Sequence, residues 1–343
     1  MKYNKLGNSN LLVSEIAMGT MTFGEQNSLS EACEQLDYAF SQGVNFIDTA
    51  EMYPVPGKVE TQGRTEEYVG EWLKNQQRDK VILATKVAGP SRGFDWIRSG
   101  PKSLDRTNIL SAIETSLQRL KTDYVDLYQI HWPARNVPMF GGSIYNPAKE
   151  YDATTIEEQL TVLTELVKSG KIRHVGLSNE TPWGVAEFLK VAEQLNLQRI
   201  VSIQNSYSLI NRTFESGLHE MCHREQVSLL AYSPLGFGHL TGKYLKNPAA
   251  PGRISLYPQF GQRYLKPNVA AAVAAYVKLA EQHSMTPAKM ALGFVRSRAF
   301  VCSTVVGATT LAQLKENLSS VELDNELLKL IEELHLRYTN PAP

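Results

Sequence analysis

The sequence predicts an α/β fold, a single (β/α)8 TIM barrel. Three observations carry this. Eight short apolar runs, rich in β-branched residues, recur along the 343-residue chain. Amphipathic segments of helical period separate most of them, and no linker or low-complexity tract interrupts the alternation. Runs with so little charge suit parallel strands covered on both faces, and strand–helix alternation implies right-handed crossovers. Residues 1–343 are read as one domain, because such barrels hold about 250 residues and can exceed 400 with insertions.

At the N-terminus, Lys2–Leu6 and Leu11–Val13 flank Gly7-Asn8, a hairpin signal, and this hairpin is placed as a plug under the barrel. The barrel runs are Glu15–Met18, Val44–Asp48, Lys80–Lys86, Tyr124–His131, Ile172–Ser178, Ile200–Gln204, Ser228–Ser233 and Ser303–Val306. From Ser30, the residues Ala32, Leu36, Ala39 and Phe40 share one helical face, and Gly43 marks the stop. Thr107 precedes Leu110, Ile113, Leu117 and Leu120; Thr155 precedes Leu160, Leu163, Leu166 and Val167, with Gly170 as the stop. An open doubly wound sheet would carry a glycine-rich phosphate turn after its first strand, whereas Met18-Gly19-Thr20-Met21-Thr22-Phe23-Gly24 lacks the GxGxxG spacing. Three connections are long, about Tyr53–Arg64, Ala88–Arg106 and Ala134–Thr155. All follow the C-terminal ends of predicted strands, where barrel enzymes place their chemistry, and loops of this length commonly form lids or binding walls.

Thirty-five basic and thirty-five acidic side chains cancel, which leaves no electrostatic footprint for nucleic acid or an anionic membrane. No stretch approaches the roughly 20 apolar residues of a membrane span. MKYNKLGNSN has neither the apolar core nor the cleavage site of a secretory signal. The three cysteines, Cys33, Cys222 and Cys302, form no CxxC pair and read as reduced thiols. A cytoplasmic protein is expected, a monomer or small homo-oligomer. The seven histidines include no HExxH, and no metal site is assigned; His219 and His223 stand at i, i+4 on an apparent surface helix without ligand-like acidic neighbours.

Reactive residues gather at predicted strand ends. The second strand ends at Asp48 and turns to Tyr53, the third ends in Lys86 and the fourth in His131. A lysine closing the apolar strand Val81-Ile82-Leu83-Ala84-Thr85-Lys86 needs a partner, because burying an ammonium is costly. Asp48 can supply it. A cation beside the Tyr53 hydroxyl would lower the phenol from about 10 toward working pH, as suits a general acid. His131 would hold a carbonyl oxygen where negative charge develops. A second polar group comprises Ser178-Asn179, Gln204-Asn205 and Tyr232-Ser233. Its amides suit a carboxamide and Tyr232 offers a flat face for a ring. Phosphate recognition is placed later, in the loop from Ser233-Pro234-Leu235-Gly236 to Lys243 and Arg253, and at Gly307-Ala308-Thr309-Thr310 before helix Leu311–Leu318.

Asp48-Thr49-Ala50 followed by Tyr53, with Lys86 and His131, resembles the catalytic tetrad of the aldo-keto reductases, and the resemblance runs essentially from end to end. It implies NADP(H)-dependent reduction of a small-molecule aldehyde or ketone, with Tyr53 as acid, Lys86 and Asp48 tuning it, and His131 orienting the substrate. It further implies that Ser178, Asn179 and Gln204 grip the nicotinamide amide, that Tyr232 stacks on the ring, and that GATTLAQLKENL brings Thr309, Gln313, Glu316 and Asn317 to the adenosine phosphate. Gly19, Thr20, Met21 and Asp48 are assigned to the cofactor as well. Trp132, Met139 and Phe140 join Tyr53 in the expected substrate pocket, with Trp96 nearby. Many family members hold the 2′-phosphate with a basic residue where this chain has Gln313. A branch including the potassium-channel β subunits also has glutamine there and uses basic residues of the preceding loop, which Lys243 and Arg253 would match. That branch supplies the alternative function, a cofactor-binding redox sensor or regulatory subunit with slow turnover.

Overall fold

The computed structural model describes residues 1–90, 93–100, 103–259, 261–319 and 321–343. An antiparallel hairpin, β1 (Tyr3–Lys5) and β2 (Leu12–Ser14), precedes eight parallel strands. These are β3 (Ile16–Gly19), β4 (Phe46–Asp48), β5 (Ile82–Val87), β6 (Val125–Ile130), β7 (Ile172–Ser178), β8 (Ile200–Ser206), β9 (Ser228–Tyr232) and β10 (Val301–Val306). Each pairs with its sequence neighbour, and β10 closes the barrel against β3 with Thr304 opposite Ile16. The predicted fold class is the observed one.

Strand boundaries move by one to three residues, for local reasons. The run beginning at Val44 enters the sheet only at Phe46, because Val44 donates back to the Ala39 carbonyl and the Asn45 side chain accepts from Ser14 N at 2.8 Å. Lys80 lies in the turn Arg78–Lys80 rather than in a strand. Helix Leu29–Ser41 begins ahead of Ser30: Ser28 is its cap and forms a capping box with Glu31. Asp105, not Thr107, caps helix Arg106–Leu120, its carboxylate accepting from Asn108 N. Thr155 caps helix Ile156–Lys168 as the sequence predicts. The three long connections gather at the C-terminal end of the barrel; residues 91–92 and 101–102 of the Ala88–Arg106 connection lie outside the described residues. Among the described residues no helix is long and apolar enough to cross a membrane.

Side chains alternate along each strand between the barrel interior and the surrounding helices. Ile47 and Tyr128 pack outward into the helix-facing core. Phe46, Ala84 and Leu127 point inward and form, with Leu6, Leu11 and Val13 of the hairpin segment, a separate apolar layer that closes the bottom. Two residues further along the same strands stand Asp48, Lys86 and Gln129; Lys86 is in register with Gln129, and Asp48 lies opposite Ala84. The strand period thus stacks a polar layer directly above an apolar floor.

Gly7 joins floor and hairpin at φ +55°, where an added Cβ would lie 2.2 Å from the Val201 carbonyl oxygen and 2.7 Å from that of Gln226. Both obstacles are backbone, so neither can swing aside. Gly7→Ala should destabilise the fold by about 1–3 kcal/mol, read as a lowered denaturant midpoint; an unchanged midpoint would refute the tight seating of the hairpin.

Candidate active site

The polar layer is built around one buried ion pair. Lys86, fully buried, donates to Asp48 Oδ2 at 2.6 Å and to the Thr49 carbonyl at 2.9 Å. The other carboxylate oxygen accepts from Gln204 Nε2 at 2.8 Å and Gln129 Nε2 at 3.2 Å. Both oxygens are therefore engaged, which is what makes a buried carboxylate tolerable. The turn after β4 is clamped to the next strand: Glu51 N donates to Lys86 O, Ala88 N donates to the Glu51 carboxylate at 3.0 Å, and Arg98 pairs with that carboxylate. Tyr53 emerges from this turn with the Lys86 ammonium 5.1 Å from its ring centroid. His131 meets Tyr53 edge-on, at a centroid separation of 5.6 Å. The four candidate catalytic residues thus come together at one end of the barrel.

The electrostatics depart from the sequence-based expectation. Burial pushes the Tyr53 phenol well above its ordinary value, Asp48 adds to the rise, and Arg253 offsets part of it. The Lys86 ammonium, matched at close range by Asp48, does not outweigh that burial. Burial draws Lys86 itself below its usual value, with Asp48 opposing. The free protein holds a neutral phenol, not a partly ionised one.

The second polar group assembles beside the first. Ser178 Oγ donates to the Gln204 carbonyl at 2.8 Å. The Tyr232 hydroxyl donates to Asn179 Oδ1 at 2.6 Å, and Asn179 Nδ2 donates to the His131 carbonyl at 2.8 Å. Asn179 and Ser233 follow directly on β7 and β9 with φ +55°, a sparsely populated conformation that persists where the surroundings hold it and that clusters at ligand sites. Thr309 donates through its backbone N and hydroxyl to Gln313 Oε1, both at 3.0 Å, and Asn317 Nδ2 donates to the Gly307 carbonyl.

All this faces a cleft of about 830 Å³. Asp48, Tyr53, His131 and Trp132 line it, with Gly19, Thr20, Met21, Phe140, Ser178, Asn179, Gln204, Tyr232, Ser233, Pro234 and Leu235. So do Lys243, Arg253, Gly307, Thr309, Gln313, Glu316 and Asn317. Lys86 lies beneath the lining. Gly236 is buried below its loop and is outside the lining, and Met139 and Trp96 pack behind it against the Tyr53 cluster instead. Sequence reasoning missed Val55, Phe94, Phe237, Gln259 and Arg263, which also line the cleft; they lie in irregular segments without a motif to mark them. Lys243 and Arg253 form a cationic corner. Burial and the neighbouring Arg253 charge draw Lys243 below its ordinary value, and Arg253 Nε is buried without a hydrogen-bond partner. Glu25 ties three loops at the rim, pairing with Lys58 and accepting from the Tyr257 hydroxyl at 3.2 Å. No metal-binding cluster occurs among the described residues.

The aldo/keto reductase family model matches residues 15–335. The chain is 51% identical to "Protein tas" of Escherichia coli (strain K12) over the full length of both. It is 39% identical to an "Aldo-keto reductase" of Babesia bovis, covering 76% of this chain and 98% of that one. It is 29% identical to a "Probable voltage-gated potassium channel subunit beta" of Arabidopsis thaliana, covering 94% and 92%.

Because the folded site favours the neutral phenol, Tyr53 should ionise only above the ordinary tyrosine value of about 10. Ultraviolet titration of the free protein against Tyr53→Phe should therefore show no tyrosinate difference at lower pH. A difference signal between pH 7 and 9 would contradict the burial argument.

Proposed function

The chain belongs to the aldo/keto reductase family, and is on that footing an oxidoreductase; we propose that it reduces aldehydes or ketones to alcohols with NADPH, using Tyr53 as the general acid. The observation that carries this reading is the buried Lys86–Asp48 pair set under Tyr53 at the base of the cleft. Such a pair is a poor stabiliser. It makes sense as a counter-charge kept for a moment when the phenol loses its proton.

The residues present fit the cofactor. Arg253 and Lys243 stand side by side, each half-buried, with Arg253 Nε lacking a protein acceptor, an arrangement that an anionic phosphate relieves. A Cβ on Gly307 would meet the Gly19 carbonyl oxygen at 3.1 Å, and one on Gly252 would meet Lys243 Nζ at 2.4 Å. Lys243 and Arg253 would hold the 2′-phosphate, the segment from Gly307 to Asn317 the adenosine end, and Ser178, Asn179 and Gln204 the carboxamide over Tyr232. When bound, NADPH supplies hydride to the substrate's carbonyl carbon.

The chain's own part is proton transfer and orientation. His131 and the Tyr53 hydroxyl would receive the carbonyl oxygen between them. A phenol kept neutral by burial is a loaded donor at physiological pH, and an alkoxide is basic enough to take its proton. The phenolate left behind is stabilised by the nearby Lys86 ammonium, while Asp48 keeps that ammonium in place. Trp132, Phe140, Val55 and Phe94 supply an apolar wall that excludes water.

Tyr53→Phe should lower kcat for reactive aldehydes by about 10²–10⁴-fold, measured by loss of reduced-nicotinamide absorbance, while NADPH binding persists. Retention of activity would place the proton donor elsewhere. Arg253→Ala should weaken NADPH about 10- to 100-fold and NADH far less, by calorimetry; equal losses would remove Arg253 from the phosphate site.

A further inference from the structure

Arginines taken into the interior of this protein are, for the most part, answered by carboxylates. Arg98 pairs with Glu51, Arg119 with Glu66, Arg135 with Glu180, Arg212 with Glu215 and Glu332, and Arg296 with Glu15. Arg263 breaks this pattern. It is 7% exposed and lines the cleft, yet no carboxylate among the described residues pairs with it. The phenol oxygens of Tyr232 and Tyr264 are the groups that favour its charge. A guanidinium has five donors in a planar fork, and burial without a paired carboxylate favours a ligand that can accept from two of them at once.

The position of Arg263 decides which ligand that could be. Tyr232 is hydrogen-bonded to Asn179, which is in turn bonded to the His131 carbonyl. Arg263 therefore lies by the Tyr232 side of the cleft, next to Phe140, while Arg253, which also acts on Tyr53 and shares Tyr264 with it, belongs to the corner with Lys243. The Arg263 guanidinium carbon lies 5.7 Å from the Phe140 ring centroid. The segment is fixed from below: Lys266 Nζ donates to the Gly141 carbonyl at 2.6 Å, and a Cβ on Gly141 would meet Arg263 Cβ at 2.9 Å. The cation is thus seated on a built ledge beside the substrate wall.

We propose that the carbonyl compounds reduced here carry a carboxylate remote from the reacting carbon, and that Arg263 receives it. The inference rests on the reductase reading and narrows its substrates to oxo-carboxylic acids with an apolar spacer. The spacer would lie along Trp132, Phe140 and Phe94, and the carboxylate would take a paired hydrogen bond from the guanidinium.

The test compares 4-carboxybenzaldehyde with its methyl ester, using NADPH. The wild-type protein should prefer the acid, chiefly through KM, and Arg263→Gln should reduce the acid-to-ester ratio of kcat/KM about 10- to 100-fold. Arg263→Lys should restore part of that ratio, which a purely structural role would not do. A ratio unmoved by Arg263→Gln, whatever happens to the absolute rates, overturns the proposal. So does a loss confined to NADPH affinity, which would assign Arg263 to the cofactor. Calorimetry with 4-carboxybenzyl alcohol and its methyl ester asks about the site without turnover. If neither aldehyde is reduced, the reaction class fails, and equal binding of the two alcohols would sink the carboxylate site separately.

Discussion

A charged lysine in the middle of a protein dictates most of what surrounds it. Lys86 has no contact with solvent, so its ammonium is tolerable only with a carboxylate at hydrogen-bonding distance, and Asp48 fills that role from the neighbouring strand. Asp48 in turn requires acceptor-side satisfaction, which Gln129 and Gln204 provide from across the barrel. Four strands are thereby committed to one polar layer. Removing either ion would leave its partner buried and uncompensated, a far larger loss than the pair contributes as a pair. The same chain of dependence joins the two halves of the site, since Gln204 donates to the Asp48 carboxylate while its carbonyl accepts from Ser178 of the second polar group.

Much of this architecture is legible in the sequence because it follows from period. Strand alternation places Phe46 and Asp48, Ala84 and Lys86, Leu127 and Gln129 on the inward face two by two, so a polar layer above an apolar one is already written in residues 46–48, 84–86 and 127–129. The gathering of Asp48, Tyr53, Lys86 and His131 follows once the strands are parallel and their C-terminal ends coincide. Helix starts are less legible where several cap residues compete: Ser28 prevails over Ser30 because Glu31 completes its capping box.

Two features are not legible from period. The direction of the Tyr53 shift depends on a balance of burial and charge, and counting nearby cations gives the wrong sign, because burial outweighs an ammonium that Asp48 already matches. Arg263 belongs to an irregular stretch, in the short turn Gln262–Leu265, where neither helical nor strand spacing says which way a side chain points. Its significance comes from the lack of a paired carboxylate among the described residues, which depends on the folded arrangement and not on local spacing. A chain with equal numbers of acidic and basic residues can still hold concentrated positive charge in one cleft.

The hairpin floor has a kinetic corollary. With Leu6, Leu11 and Val13 sealing the lower end, the cleft beside the ion pair is reached, among the described residues, from the upper rim. Two molecules that shared that rim, as the proposed reaction requires, would not come and go independently. Whichever lay against the inner wall would enter first and depart last, and the shape of the vessel rather than relative affinity would set the order of arrival.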